Sequence, residues 1–595
     1  FFMKLLRRPS QAFIAFVLLL AAQAAAQQGG KLDLTYTVAL SDPATRQFHV
    51  TTDIKNINQP KLDLALPTWT PGWYVVENYG KNVLRFKVTD EKGRRLPFRM
   101  SRKQTWNIDT KGVRQIRVEY DYAAVVLALN QAKIADDFAF FTGIELFLEP
   151  LGHRDSPGSV KFEIPQGWAI LSALKETTNP MIFSAADYDT LVDSPTIMGK
   201  FDVTRFNVDG KQHSFAAYPA GAFSAEKTER FTDMLGKTAL AEKKIFGELP
   251  YDKFVYFYFF APPESNASGA LEHSNSFVAF ASAGSRATPE QLITTGAHEF
   301  FHLWNVKRIR PMEMWPYDYA REQETPLLWV SEGFTNYYSS LSIYRAGIIS
   351  ESDWLSRVAG AAAGVENTEA RKYISPANAS VSTWVGYDSP VAFGISYYTQ
   401  GQNLAALLDL SIRNDTDGNA SLDDVMRTLY TDFYKRGRGY GSDDFIGIVN
   451  KLTKKDYRGF FESYVFGVEV PDYDKIFGYA GLKLERKSTQ TPEFGFNGRM
   501  RDGGFRINSV EPNSPADKAG LRSGDLIIRI NGEAPQTVQF GALAGQTIKL
   551  TVKRGESESE ATMDVGARDF TSFSLSEDEG ASQRQKSIRA GWLKQ

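Results

Sequence analysis

Between residues 31 and 207 apolar and polar positions alternate with a period of two. Leu32-Asp33-Leu34-Thr35-Tyr36-Thr37-Val38, Gln115-Ile116-Arg117-Val118-Glu119-Tyr120 and Val160-Lys161-Phe162-Glu163-Ile164 each turn every second side chain to one face, as a half-buried strand does. Turn formers such as Glu91-Lys92-Gly93 separate the runs, so the stretch predicts a β-sandwich-like domain. Lys253-Phe254-Val255-Tyr256-Phe257-Tyr258-Phe259-Phe260 predicts a further strand. Beyond it helical signals take over. Thr288 is a fit N-cap, Pro289 suits the first helical position and Gln291 completes a capping box. Thr325-Pro326 opens a second helix running to Tyr338, and Tyr397 opens a third continuing through Leu404, Leu407, Leu408 and Ile412. Asp443 to Leu452 and Phe460 to Phe466 add helix before Pro471. The pattern is that of a multidomain α+β chain.

Composition narrows the classes. A chain of 595 residues with 43% hydrophobic content can bury several cores. The 68 basic and 70 acidic residues leave a net charge of −2, which points to no nucleic acid and no anionic membrane. The absence of cysteine excludes disulfides, thiol catalysis, cysteine-ligated zinc and a lipoprotein anchor. Lys4, Arg7 and Arg8 precede an apolar run from Ala12 to Ala22, and Ala24-Ala25-Ala26 offers a cleavage site before Gln27. That run is short for the ~20 apolar residues of a membrane span. Residues 1–26 are therefore expected to be an export signal, with Met3 as the translation start. The mature protein is expected to be periplasmic or secreted, without membrane association.

The candidate chemistry lies on the first two predicted helices. His298-Glu299-Phe300-Phe301-His302 is an H-E-x-x-H motif. On a helix the two imidazoles, four residues apart, share one face and can hold one ion, with Glu299 placed to hold a water beside it. Two imidazoles and a carboxylate with an open fourth position suit zinc. The chain has only 6 histidines, and two fall at this spacing on a capped helix. Glu332 is the acid of the second helix, set among Trp329, Val330 and Phe334, where an unpaired carboxylate is costly. It is the expected third ligand, with Asn336 one turn on as a brace. Asp415-Thr416-Asp417-Gly418 fails the register of a calcium loop, since position twelve is Met426. It reads instead as a turn before a Ser421–Asp424 capping box.

These residues carry a resemblance. H-E-F-F-H with Trp329-Val330-Ser331-Glu332-Gly333-Phe334-Thr335 resembles the gluzincin metallopeptidases. Ser268-Gly269-Ala270-Leu271-Glu272-His273 is similar to the G-x-M-E-N motif of the aminopeptidase N family, with His273 in place of Asn. Tyr398-Thr399-Gln400-Gly401 is similar to its Y-E-K-G segment. His302-Leu303-Trp304-Asn305 and Gly269-Ala270-Leu271-Glu272-His273 resemble the glycyl aminopeptidase family in particular.

The resemblance implies a β-rich N-terminal domain, a thermolysin-like catalytic domain and a PDZ domain. It implies a zinc aminopeptidase acting on peptides with a free N-terminus, preferring glycine and alanine. His298, His302 and Glu332 would hold one zinc per chain, Glu299 would be the general base, and Tyr398 would donate to the oxyanion, with Tyr397 its rival. Glu272 would bind the α-amino group, and the small Gly269 and Ala270 would let a peptide approach their strand. On residues alone Glu272 is equally an exposed loop carboxylate. An endopeptidase of the same clan and a non-catalytic PDZ/β-domain scaffold remain as alternatives. Leu66-Pro67-Thr68-Trp69-Thr70-Pro71-Gly72-Trp73-Tyr74 also resembles this family, but as an aromatic turn it suggests no chemical role.

Asn513-Ser514-Pro515-Ala516-Asp517-Lys518-Ala519-Gly520-Leu521 is similar to the PDZ domains of bacterial high-temperature-requirement proteases, with Phe494-Gly495-Phe496 as candidate loop for a peptide C-terminus. The short stretch between Pro535 and Gly545 leaves a packing role as an equal alternative. The expected boundaries are 27–207, 208–479, 480–567 and a tail, 568–595, with Ser576 to Ser587 loosely ordered and Trp592 and Leu593 as candidate docking residues.

Overall fold

The computed structural model describes residues 30–260, 268–282, 284–386 and 394–594. Residues 1–26, expected to be an export signal, and most of the loop from Ala261 to Ser268 lie outside these residues. The chain divides into two compact units: one reaches to Trp354 and includes Lys372–Pro471 and the residues from Ser587 on, the other comprises Leu355–Arg371 and Asp472–Lys586.

The alternation near the N-terminus becomes sheet. Asp33–Ala39 buries Leu34, Tyr36 and Val38 and pairs antiparallel with Gln47–Lys55 and parallel with Gly158–Glu163. These belong to a seven-stranded sheet, and sheets of five and four strands complete the β-rich domain.

A second five-stranded sheet runs Asp202–Val208, Lys211–Tyr218, Lys253–Phe259, Ser276–Phe280, Gly269–His273. Its central strand Lys253–Phe259 is apolar on both faces because both are covered. Val255, Phe257 and Phe259 join Phe138 and Phe140 of the N-terminal domain in one core. Phe254 and Tyr256 face the other way, with Phe300 of the helix Pro289–Phe301 at 4.7 and 6.4 Å. That helix begins as its sequence demands: Gln291 N–H donates to Thr288 Oγ1 and Thr288 N–H to Gln291 Oε1, at 3.4 and 3.0 Å. Gly269–His273 pairs with Ser276–Phe280 and is the edge strand.

The second predicted helix departs from expectation. Trp329–Phe334 is wound as a π-helix before Thr335–Arg345 continues as α. Here it meets the helix Tyr397–Asp415 backbone to backbone. A Cβ on Gly401 would stand 2.0 Å from the Trp329 carbonyl oxygen, and one on Gly333 2.3 Å from Gly401 Cα. Only glycine admits that crossing, which fixes the segment bearing Glu332.

In the second unit, Phe496–Arg501, Gly504–Val510, Leu526–Ile530, Thr547–Arg554 and Ser557–Asp564 form an antiparallel five-stranded sheet. Leu482–Glu493 and Gly566–Glu577 form a separate ribbon. The tail is not loosely ordered as expected. Its strand runs to Glu577 and a helix spans Gln583–Trp592. The reason is Trp592, fully buried, whose indole N–H donates to the Tyr337 hydroxyl at 2.8 Å and whose ring meets Trp354. Among the described residues no helix is long and apolar enough to cross a membrane.

Candidate active site

The helix Pro289–Phe301 and its C-cap bring His298 and His302 together, with their Nε2 atoms 2.9 Å apart. Glu332 Oε2 lies 3.2 Å from His302 Nε2 and 3.5 Å from His298 Nε2. A tetrahedral zinc, about 2.0–2.1 Å from each ligand atom, would set those atoms about 3.3 Å apart. The three side chains are therefore already spaced for it. Electrostatics agree that positive charge belongs among them. Burial alone would raise the Glu332 carboxyl, yet His302 and His298 hold it down to about 2. Burial would likewise lower His302, but Glu332, Glu272 and Glu299 push it up to about 10.

The ligand orientation is built into the segment after the helix. His302 Nδ1–H donates to the Asn305 carbonyl at 2.6 Å, which leaves Nε2 as the nitrogen facing Glu332. The Asn305 amide in turn donates to the carbonyls of Val330 and Ser331 and to Thr335 Oγ1, at 2.9, 3.2 and 3.1 Å. One buried asparagine thus ties both ligand-bearing segments together. Sequence reasoning noticed Asn305 only within a resemblance; a polar residue flanked by Trp304 and Val306 was the available signal. Burial and the charge of His302 lower the His298 imidazole, against the pull of Glu332 and of Asn336 beside it.

Glu299 and Glu272 stand next to this set. One oxygen of each, with a His302 nitrogen, lie within 4.8 Å of one another. Burial pushes the Glu299 carboxyl well up, and the charges of Glu272 and Glu332 add to this. Burial raises Glu272 to about 6 against the pull of His302 and Lys307. Glu272 is 3% exposed, so it is not the exposed loop carboxylate that its residue type alone allowed. Gly269 is exposed and Ala270 half-buried at the open end of the same edge strand. His273, where the resembled motif has Asn, donates its Nδ1–H to Asp193 Oδ1 at 3.0 Å; Lys307 Nζ pairs with the same oxygen at 2.8 Å. The N-terminal domain thereby grips the turn that follows Glu272.

The two adjacent tyrosines differ. The Tyr397 ring is buried, and its hydroxyl is 3.2 Å from Thr383 Oγ1. The half-buried Tyr398 ring stacks on His298, centroids 6.1 Å apart and planes at 23°.

The aromatic turn Trp69–Tyr74, which suggested no chemistry, reaches the site. Gly72, with φ +93°, lies on Glu272: a Cβ there would be 2.5 and 2.6 Å from its two carboxylate oxygens. Glycine followed by two aromatics in an otherwise small-residue turn was the signal in the sequence, and it lacks any periodicity that could direct it to a site.

Three family models match in order along the chain: Peptidase M61 N-terminal domain over residues 35–200, M61 glycyl aminopeptidase over 291–404 and PDZ domain over 506–554. The chain belongs to the M61 peptidase family. This M61 chain is also similar to a crystal structure of an aminopeptidase N family protein from Idiomarina loihiensis, with a TM-score of 0.82 and 24% identity, over 94% of this chain and 100% of that one. At that identity the likeness speaks for the fold. An M1 zinc metallopeptidase from Deinococcus radiodurans aligns with a TM-score of 0.48 and 14% identity, over 74% of this chain and 95% of that one. A probable CtpA-like serine protease of Staphylococcus saprophyticus is 24% identical over 187 residues, 29% of this chain. The match spans about a third of that relative's length, 32%.

Proposed function

We propose that this M61 protein is a zinc-dependent aminopeptidase that removes N-terminal residues, small ones such as glycine and alanine, from peptides. The observation that carries the reading is the second carboxylate pair. Glu272 and Glu299 come within 4.8 Å of each other and of His302 without belonging to the three-residue ligand set, which leaves one acid for proton transfer and one for the substrate amine.

His298, His302 and Glu332 would hold one zinc per chain; bound there, it polarises the scissile carbonyl and lowers the pKa of water towards ~7. Glu299 takes the proton of the attacking water and passes it to the leaving amine. Its raised proton affinity suits both halves of that transfer. The Tyr398 hydroxyl donates a hydrogen bond to the developing oxyanion. Glu272 holds the free α-ammonium, so the first peptide bond is the one presented to the ligand set. Gly269 and Ala270 offer their edge-strand backbone to the substrate. The Gly72 wall over Glu272 favours an aminopeptidase over an endopeptidase, because chain preceding the bound amine would have to pass through it.

The test is Glu299→Gln, which leaves every ligand in place and removes the base. Zinc content should stay at one per chain while kcat falls by orders of magnitude; near-wild-type kcat would show that Glu299 is not the base.

The pattern over residues 4–26 supports export, with the mature N-terminus at or near Gln27, readable by N-terminal sequencing. In the PDZ domain the edge strand Phe496–Arg501 is the place for a peptide C-terminus, with the rings of Phe494 and Phe540 5.7 Å apart beside it.

A further inference from the structure

A hydroxyl buried without a hydrogen-bond partner weakens a fold, and native proteins keep few. The Tyr74 hydroxyl is such a group among the described residues, and so is Glu272 Oε1. Tyr74 is fully buried, and its ring packs edge-on against Trp384 at 5.7 Å. Trp384 is itself held against Trp69 at 5.1 Å, so the tyrosine has fixed walls. Burial first, and then the charges of Glu332 and Glu272 among others, keep that hydroxyl protonated. Two residues earlier, Gly72 rests directly on that carboxylate.

We infer that Tyr74 is a substrate-binding residue: its hydroxyl oxygen accepts one N–H of the substrate's α-ammonium beside Glu272. This rests on the aminopeptidase reading above. An α-ammonium carries three N–H donors, and a carboxylate approaching from one side leaves at least one unmatched. A fourth carboxylate would crowd a corner that already holds Glu272, Glu299 and Glu332. A phenol kept protonated by burial supplies lone pairs without charge. The same bond gives the hydroxyl the partner that the fold alone does not provide. The bond requires a primary amine, since N-methylation removes a donor and adds bulk.

The experiment compares wild type, Tyr74→Phe and Glu272→Ala on glycyl and N-methylglycyl anilides, with thermal melts of each. A hydrogen bond to a charged group is worth about ten- to a hundredfold. Tyr74→Phe should therefore lose about that much kcat/KM on the glycyl substrate, mainly through KM, and lose most of the wild type's discrimination against the N-methyl substrate. Its Tm should equal or exceed that of the wild type, because the variant discards an unmatched buried oxygen. Unchanged kcat/KM in Tyr74→Phe alongside a crippled Glu272→Ala would overturn the role of Tyr74 and leave the aminopeptidase reading standing. A melt clearly below the wild type would also overturn it, since the hydroxyl would then have a partner in the fold. Unchanged kinetics in both variants would sink the aminopeptidase reading itself.

Discussion

Gly72→Ala perturbs the site from the N-terminal domain without replacing any ligand or acid. The added methyl would stand 2.5 and 2.6 Å from the Glu272 oxygens and 2.6 Å from Leu271 Cδ1. Carbon and oxygen that do not bond rest at about 3.3–3.5 Å, so the carboxylate or the turn must shift by about 0.8 Å. The φ of +93° adds a cost of about 1–2 kcal/mol for a residue with a side chain. A misplacement of about 1 Å in a substrate-positioning group can cost about a hundredfold in rate. Gly72→Ala should thus lower kcat/KM on a glycyl anilide by about one to two orders of magnitude. Zinc stoichiometry should be unchanged, because His298, His302 and Glu332 are held from the other side by Asn305 and the Gly333–Gly401 crossing. The assay is steady-state kinetics with elemental analysis on the same preparation. Wild-type kcat/KM in a folded Gly72→Ala variant would refute the placement of this turn over the amine site.

Asn305→Ala should cost about 10- to 100-fold in zinc affinity, read by competition with a chelator, while excess zinc restores much of the activity. Retained affinity would mean that the asparagine does not hold the ligands. Glu242, on the helix Ala225–Phe246, is fully buried, and neither carboxylate oxygen has a partner among the described residues. Burial raises its carboxyl well above the usual value. The folded state therefore binds this proton more tightly than the unfolded chain does, and stability falls as pH rises above the unfolded carboxylate's ~4.3. Glu242→Gln should remove that fall, so its stability relative to wild type grows between pH 4 and pH 8 in denaturant titrations. A constant difference across that range would contradict the assignment.

How much of this could be read from the chain follows from what each feature depends on. The period-two runs, the Thr288–Gln291 box and the four-residue spacing of the histidines are local, so strand, helix and ligand pair were all legible. Glu332 was legible as a buried acid in apolar surroundings. The π-helical winding at Trp329–Phe334 was not, because it answers to the approach of Gly401, which is remote in sequence. Gly72 and Tyr74 were invisible for the same reason: their meaning comes from Glu272, two hundred residues away. The tail is a third case: Trp592 was legible as a docking residue, but the polar composition of Ser576 to Ser587 did not show that this stretch is ordered too, because the partner Tyr337 lies in another part of the chain.

The central claim, that the site takes a free amine at Glu272 and a zinc at His298, His302 and Glu332, meets its most direct test in one comparison. Wild-type enzyme loaded with one zinc per chain is given a glycyl anilide and its N-acetylated counterpart under identical conditions. Losing a charged, buried contact of this kind costs about 2–5 kcal/mol, or roughly 30-fold to several thousandfold in kcat/KM. The account predicts a ratio in that range in favour of the free amine, with all cleavage lost on chelation. Near-equal cleavage of the two substrates would contradict it.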